Sequence, residues 1–295
     1  MTFSRYIFGT TRLGHADVPD DRAREVARAA VAAGVWFHTS RQYDDALEIL
    51  GQVYEEERAQ LPPTIYKIGG KDLVDVLNVI RQNLTPLKRE FMEVGQISPA
   101  GAIGQGLADG SVIAGFEKLR EEGLVRSFVL EVFPWTSPTV LSALRNGHLD
   151  GLIDAYIFYL NPLQRFASNE LWDELVARRL PIIAMRTVAG GNVFRLRDVP
   201  GVAWRPYLVE RARQVAPLFE RSGIADWSEF CVRFAHSIPG VLATVGATSR
   251  VDGLEELLRH ARDPAPLPAD TLAQLFALQR AWSDEVDAHG QPGSM

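Results

Sequence analysis

"DRAREVARAAVAAGVWFHTSRQY", residues 21–43, changes its period halfway along. Up to about residue 33 it reads as an amphipathic helix. Val35, Trp36 and Phe37 then make a short continuous apolar run, as a buried strand does. Polar and reactive side chains follow at once: His38, Thr39, Ser40, Arg41, Gln42 and Tyr43. Helix, strand and a polar cluster at the strand end make one unit of a fold.

The unit recurs. Apolar strand-like runs lie at 5–9, 35–38, 64–68, 91–97, 126–132, 153–159, 181–185 and 241–245. Helical patterns separate them, at about 20–33, 45–59, 72–83, 110–122, 137–146, 169–179, 205–221, 226–237, 250–261 and 267–286. Strand then helix, eight times over, indicates parallel strands joined by crossover helices. In a chain of 295 residues this predicts an α/β fold of the (β/α)8 TIM-barrel type over residues 1–287. An open doubly wound sheet is the rival, but no glycine-rich dinucleotide turn follows the first strand. "RLRDVPGVAWRPYL", residues 195–208, interrupts the alternation and leads into an extra helix; the small polar stretch 288–295 reads as a mobile tail.

Composition narrows the function. A formal net charge of −6 argues against nucleic-acid and anionic-membrane partners. The single cysteine, Cys231, has no disulfide partner and lacks the neighbours of a zinc site, and no metal is expected. No apolar run is long enough to span a membrane, and the N-terminus lacks the pattern of a signal peptide. The expectation is a cytoplasmic protein acting on a small molecule.

In a TIM barrel the chemistry gathers at the C-terminal strand ends. The polar residues there are Thr10 and Thr11, His38 with Tyr43 beyond it, Lys67, Gln96 and Ser98, Glu131, Tyr159 and Asn161, and Arg186. Two small-residue stretches follow the last two strands: Ala189, Gly190 and Gly191, then Gly246, Thr248, Ser249 and Arg250. A lysine at the end of an apolar strand is costly to bury without a role. Cys231, in "EFCVRFAH", reads as core.

The series of motifs resembles the aldo-keto reductase superfamily in order and over most of the chain. "FGTTRLG" (8–14) resembles its first strand, and "AAGVWFHTSRQY" (32–43) the stretch with its Asp-Thr pair and tyrosine. "YKIGG" (66–70) resembles its lysine strand, and "FEKLREEGLVRSFVLEVF" (116–133) the helix and strand that end in a Ser-Asn pair. "YLNPLQR" (159–165), "IIAMRTVAGG" (182–191) and "GVLATVGATSRVDGLEEL" (240–257) resemble the sixth, seventh and eighth strands. The resemblance implies an NADP(H)-dependent reductase whose tyrosine is the acid, with a lysine–aspartate pair lowering the tyrosine's pKa. Position by position, Tyr43 and Lys67 are retained, His38 stands for the aspartate, and in "GQISP" Ser98 stands for the histidine. The Ser-Asn pair that holds the nicotinamide falls on Glu131 and Val132, the sixth-strand glutamine near Ile157, and the stacking aromatic on Met185.

Three functions follow. The first is an NADP(H)-dependent oxidoreductase with Tyr43, Lys67, His38 and Glu131 as catalytic residues. In it Gly190, Gly191, Gly246, Thr248, Ser249 and Arg250 bind the phosphates, and Arg186, Ser98 and Asn161 the substrate. The second is a barrel without hydride transfer, a dehydratase, isomerase or lyase with His38 and Glu131 as the proton-transfer pair. The third is a non-catalytic binding or regulatory barrel. All three place His38 within hydrogen-bonding or one-water reach of Lys67 or Glu131.

Overall fold

The computed structural model describes residues 2–57, 61–189 and 206–289. The elements in chain order begin with β1 (Tyr6–Gly9), α1 (Asp20–Ala32), β2 (Trp36–Thr39), α2 (Ala46–Glu57), β3 (Thr64–Lys67), α3 (Leu73–Leu84) and β4 (Met92–Ile97). Next come α4 (Gly101–Asp109), α5 (Ile113–Glu121), β5 (Val125–Glu131), a 3-10 turn, α6 (Ser137–Arg145), β6 (Ile153–Asn161), β7 (Gln164–Arg165) and α7 (Asn169–Ala177). The chain closes with β8 (Ile182–Met185), α8 (Pro206–Arg221), α9 (Trp227–His236), β9 (Val241–Gly246), α10 (Val251–Arg262) and α11 (Ala269–His289).

Eight strands pair in parallel in the order β5-β4-β3-β2-β1-β9-β8-β6, and β6 pairs back onto β5. The sheet is a closed eight-stranded barrel, as the alternation predicts. The two-residue β7 is the exception, antiparallel to the end of β6.

Alternation along each strand separates two apolar layers. Ile7, Trp36, Ile65, Val94, Val129, Ala155, Ile157, Ile183, Met185, Ala243 and Val245 pack together as the lumen, with Phe3 beside them. Phe8, Phe37, Tyr66, Phe128, Leu130, Phe158 and Ala184 belong to the larger core against the helices. Each fully buried side chain of this size contributes about 1.5–3 kcal/mol. The same alternation has a functional consequence. His38, Lys67, Gln96 and Glu131 each stand two residues beyond a lumen residue, so all four enter the barrel above its apolar plug.

The helices start and stop on local signals. Asp72 caps α3 by accepting from the Asp75 amide, and Ser168 caps α7 through the Leu171 amide. Gly34, at φ +66°, turns the chain from α1 into β2.

Two expectations need correction. Residues 101–109 form α4, where the sequence pattern indicated no helix. "GAIGQGLAD" is poor in helix formers, but tertiary packing overrides propensity there. A Cβ at Gly104 would come 2.3 Å from the Pro99 carbonyl oxygen, and one at Gly106 2.3 Å from the Val112 side chain. Helix α11 also runs through His289, into the stretch expected to be a tail; residues 290–295 lie outside the described residues.

Candidate active site

Lys67 ends β3 inside the barrel, level with Gln96 on β4. Its ammonium donates to Glu131 Oε1 at 3.2 Å, from the end of β5. The carboxylate is almost wholly buried (5% exposed), while the lysine keeps 23% of its side chain exposed. Burial opposes the Lys67 charge, yet Glu131 first, and then Tyr43 and Tyr159, outweigh it and hold the lysine above its ordinary range. Lys67 is therefore an ammonium at every working pH.

Tyr43 follows β2 in a tight turn, with its amide bonded to the Ser40 carbonyl and its carbonyl to the Ala46 amide. Lys67 Nζ lies 5.8 Å from the centre of the Tyr43 ring. Burial raises the phenol's pKa, and Lys67 pulls it back down, against the smaller upward push of Glu131 and Tyr159. The net direction is upward, so Tyr43 is protonated at neutral pH beside a fixed cation.

His38 is buried, 3% exposed. Its Nε2 lies 2.7 Å from Gln96 Oε1. With that carbonyl oxygen as acceptor, the proton sits on Nε2. Burial, and next the charge of Lys67, depress its pKa to about 3, with the Gln96 hydrogen bond opposing them. The direct hydrogen-bond partner of His38 is Gln96, while the Lys67 charge still acts on the ring. The physical reason is the one that excludes two adjacent cations: Lys67 takes the carboxylate and keeps its charge, so the histidine gives up its own and bonds to a neutral amide. The Gln96 amide nitrogen is buried without a hydrogen-bond partner.

One residue that the sequence reading passed over ties the site together. Asn83, buried on α3, accepts from the Arg41 amide at 2.9 Å and donates to the Lys67 carbonyl at 3.1 Å. It also donates to the Val79 carbonyl at 2.9 Å. It fixes the loop that carries Tyr43 against the strand that carries Lys67. An asparagine inside a helical apolar pattern, where it is a weak helix former, is the signal that marks it.

The other candidates divide. Arg186, just beyond β8, has φ +47°, an uncommon conformation for a residue with a side chain. Its guanidinium stands 4.5 Å from the ring centre of Tyr159, which packs on the lumen cluster. Arg186 and the Lys67–Glu131 pair therefore flank the same tyrosine. Ser98 lies just past β4, half-buried and facing Gly69. Asn161 is not available to a substrate. It is fully buried, accepts from the Leu163 amide, and donates to Gln164 Oε1 and to the Arg186 carbonyl. Its side chain builds the β6–β7 hairpin, a use that an asparagine before a proline shares with many turns.

The sequence reading also missed an aromatic wall. Trp135, 41% exposed, stacks on Phe133 at 4.8 Å and 9°. Phe133 lies 6.3 Å from Phe166, and Phe166 4.5 Å from Tyr159. The rings run from the surface to the tyrosine under Arg186.

In the loop after β9, Arg250 N-caps α10, with its amide bonded to Thr248 Oγ1. Its guanidinium is half exposed and pairs with Asp252 at 2.9 Å, an exposed contact of small net worth. Gly246 ends β9, where its carbonyl accepts from the Tyr6 hydroxyl, and Ser249 is buried. Gly190 and Gly191 lie outside the described residues. No described helix is long and apolar enough to cross a membrane.

No model of a known protein family matches the chain, and no curated protein matches it. Solved structures do. An aldo-keto reductase from Klebsiella pneumoniae, in complex with NADP and acetate, is 19% identical with a TM-score of 0.67, over 94% of this chain and 92% of that one. The holo form of an aldo-keto reductase from Bacillus halodurans is 17% identical, with a TM-score of 0.70, over 95% and 98% of the two chains. A putative aldo-keto reductase from Pseudomonas aeruginosa is 17% identical at a TM-score of 0.60, over 88% and 89%. The eight parallel strands, the end-to-end match and the motif order agree: this chain has the (β/α)8-barrel fold of the aldo-keto reductases.

Proposed function

We propose that the protein is a cytoplasmic oxidoreductase that uses NADP(H) on a carbonyl or hydroxyl group of a small molecule. The observation that carries this reading is the Lys67–Glu131 pair beside Tyr43. The resemblance implies a tyrosine, a lysine and a carboxylate, and all three are present. The carboxylate comes from β5 instead of β2. The solved structures of the same fold that contain NADP or NADPH support the cofactor assignment.

The donor set fits the cofactor's anionic end. Thr248, Ser249 and Arg250 precede α10, where free backbone N–H groups favour an anion, and Arg250 offers a half-exposed guanidinium. The ring end offers less. Val132 and Ile157 are buried and apolar, and Glu131 is the single polar group at the positions that would hold the carboxamide. The affinity of NADP(H) would therefore reside in its phosphates.

When bound, NADPH supplies the hydride. Tyr43 delivers its phenolic proton to the carbonyl oxygen. Lys67 stabilises the tyrosinate left behind, because an ammonium beside a phenolate favours the charged form. Glu131 keeps Lys67 charged and aimed. Arg186 and Tyr159 hold the remainder of the substrate, and the arginine favours an anionic substituent. His38 does not move a proton; it is neutral, buried and bonded to Gln96. This weakens the acid–base alternative, which requires His38 and Glu131 to act as a pair.

Fluorescence titration with NADPH, followed by a carbonyl-reduction assay, tests the proposal. Micromolar binding, and turnover that Tyr43→Phe lowers by about 10²–10⁴-fold, are the expected results. No binding at millimolar NADPH would overturn it and leave a binding or regulatory barrel.

A further inference from the structure

Helices α9 and α10 pack side by side in the outer layer, and a second polar cluster lies between them. Asp226 caps α9, with Oδ1 accepting from the Glu229 amide at 2.8 Å. The Ser228 hydroxyl lies 2.5 Å from the same Oδ1 and 2.6 Å from Glu256 Oε1 on α10. A serine has one hydroxyl proton, so it donates to only one of these carboxylates at a time. Two negative groups thus converge on a donor that satisfies one.

His260 stands one turn beyond Glu256 on the same face of α10. Its side chain is 7% exposed, and its Nε2 lies 3.6 Å from Asp226 Oδ1 and 3.6 Å from Glu256 Oε1. Neither separation is a hydrogen bond, and Nε2 is buried with no hydrogen-bond partner. The three ligand atoms all lie within 4.8 Å of one another.

The two 3.6 Å separations from Nε2 are close to what a shared metal ion imposes. A tetrahedral ion with bonds of about 2.1 Å to nitrogen and oxygen sets its ligands about 3.4 Å apart. The donor set is one imidazole and two carboxylates. Imidazole favours zinc-class dications over calcium or magnesium, and the two carboxylates match their charge. We propose that Asp226, Glu256 and His260 form a binding site for a zinc-class divalent cation that clamps α9 to α10, with Ser228 orienting the carboxylates. The inference is independent of the reaction at the barrel mouth and replaces the expectation of no metal. Among the described residues this is the one group of three or more histidine, cysteine, aspartate and glutamate side chains close enough to share an ion.

The test uses full-length protein stripped with a chelator and dialysed. Zinc(II) is titrated calorimetrically, and thermal unfolding is followed with and without it. The expected result is one zinc per chain at micromolar affinity or tighter, with a rise in Tm of about 5 °C at saturation. Glu256→Gln and His260→Gln should each weaken binding at least tenfold and remove the rise in Tm. Glu255→Gln, on the exposed side of the same helix, should change neither. Cobalt(II) in the unmodified protein gives a readout that does not depend on any variant folding. It should show d–d bands of a nitrogen–oxygen set without the charge-transfer band of a thiolate. Zinc binding that is undetectable at tenfold excess over protein, or that survives both substitutions, would overturn the proposal. The cluster would then be a polar contact between the two helices that holds no ion.

Discussion

Replacing His38 with glutamine isolates the energetic cost of a neutral histidine in the barrel. In the folded protein His38 takes up a proton only near pH 3, whereas its ordinary value is 6.5. Between those values the unfolded chain holds a proton that the folded chain does not. Stability from this residue is therefore complete above pH 6.5 and falls as the pH drops toward 3. Each unit corresponds to about 1.4 kcal/mol, so roughly 5 kcal/mol is at stake over the whole interval, and roughly 3 kcal/mol by about pH 4.5. Glutamine places an amide nitrogen near the Nε2 position and can still donate to Gln96, but it does not titrate. Urea unfolding of both proteins at about pH 7.5 and about pH 4.5 gives four free energies. The stability of the unmodified protein minus that of His38→Gln should fall by roughly 3 kcal/mol between the two conditions. Other titrating groups cancel in that difference, including His236, which burial holds to about 4. A difference independent of pH would refute the reasoning. His38 would then be charged in the folded state or open to water.

Glu131→Gln should destabilise the fold by roughly 3 kcal/mol in urea unfolding, because it leaves Lys67 a largely buried cation without its carboxylate. Tyr43→Phe should lower kcat for carbonyl reduction by about 10²–10⁴-fold with NADPH affinity unchanged, and the unmodified enzyme should show no acid limb in kcat between about pH 5 and 8, since Lys67 stays charged and His38 neutral. Arg250→Ala should weaken NADPH by about tenfold while leaving NADH unaffected, as fluorescence titration would show. Asn83→Ala strands the Arg41 amide and the Lys67 carbonyl in the interior. It should cost about 2 kcal/mol of stability and lower kcat more than it changes KM.

Much of the fold was legible because a barrel strand carries a strong local signature. Val35, Trp36 and Phe37 are a continuous apolar run because both faces of the strand are covered, Trp36 by the lumen and Phe37 by the helices. Helix α4 left no such trace, since its glycines at 104 and 106 are chosen by what packs on them and not by helix propensity. The site was legible to the same depth. Strand alternation is enough to bring His38, Lys67 and Glu131 to one mouth. It says nothing of which lumen side chain bonds to which, because partners such as His38 and Gln96 are a full βα unit or more apart and chosen by charge. Asn161 shows the reverse error. A polar residue at a strand end looked available, yet its side chain is fully buried and bonded to its own turn and to the Arg186 carbonyl.

Set beside the site that the resemblance implies, a carboxylate supplied from β5 in place of β2 makes the altered residues a connected set. Lys67 needs an anion, since a lysine this buried without one would drop toward neutrality and lose its hold on Tyr43. With histidine at position 38, that anion has to come from elsewhere around the lumen, and Glu131 reaches it at 3.2 Å. A carboxylate committed to Lys67 cannot also serve as a neutral partner for a carboxamide, and its neighbours Val132 and Ile157 do not compensate. In the proposed reductase, the proton-donating half of the site is therefore kept at the expense of the half that would grip the nicotinamide ring. A ring that is weakly gripped places a greater share of alignment on the substrate's own contacts. In the same proposal Arg186 would meet that demand: it accepts an uncommon backbone conformation and lies over Tyr159, at the inner end of the aromatic wall.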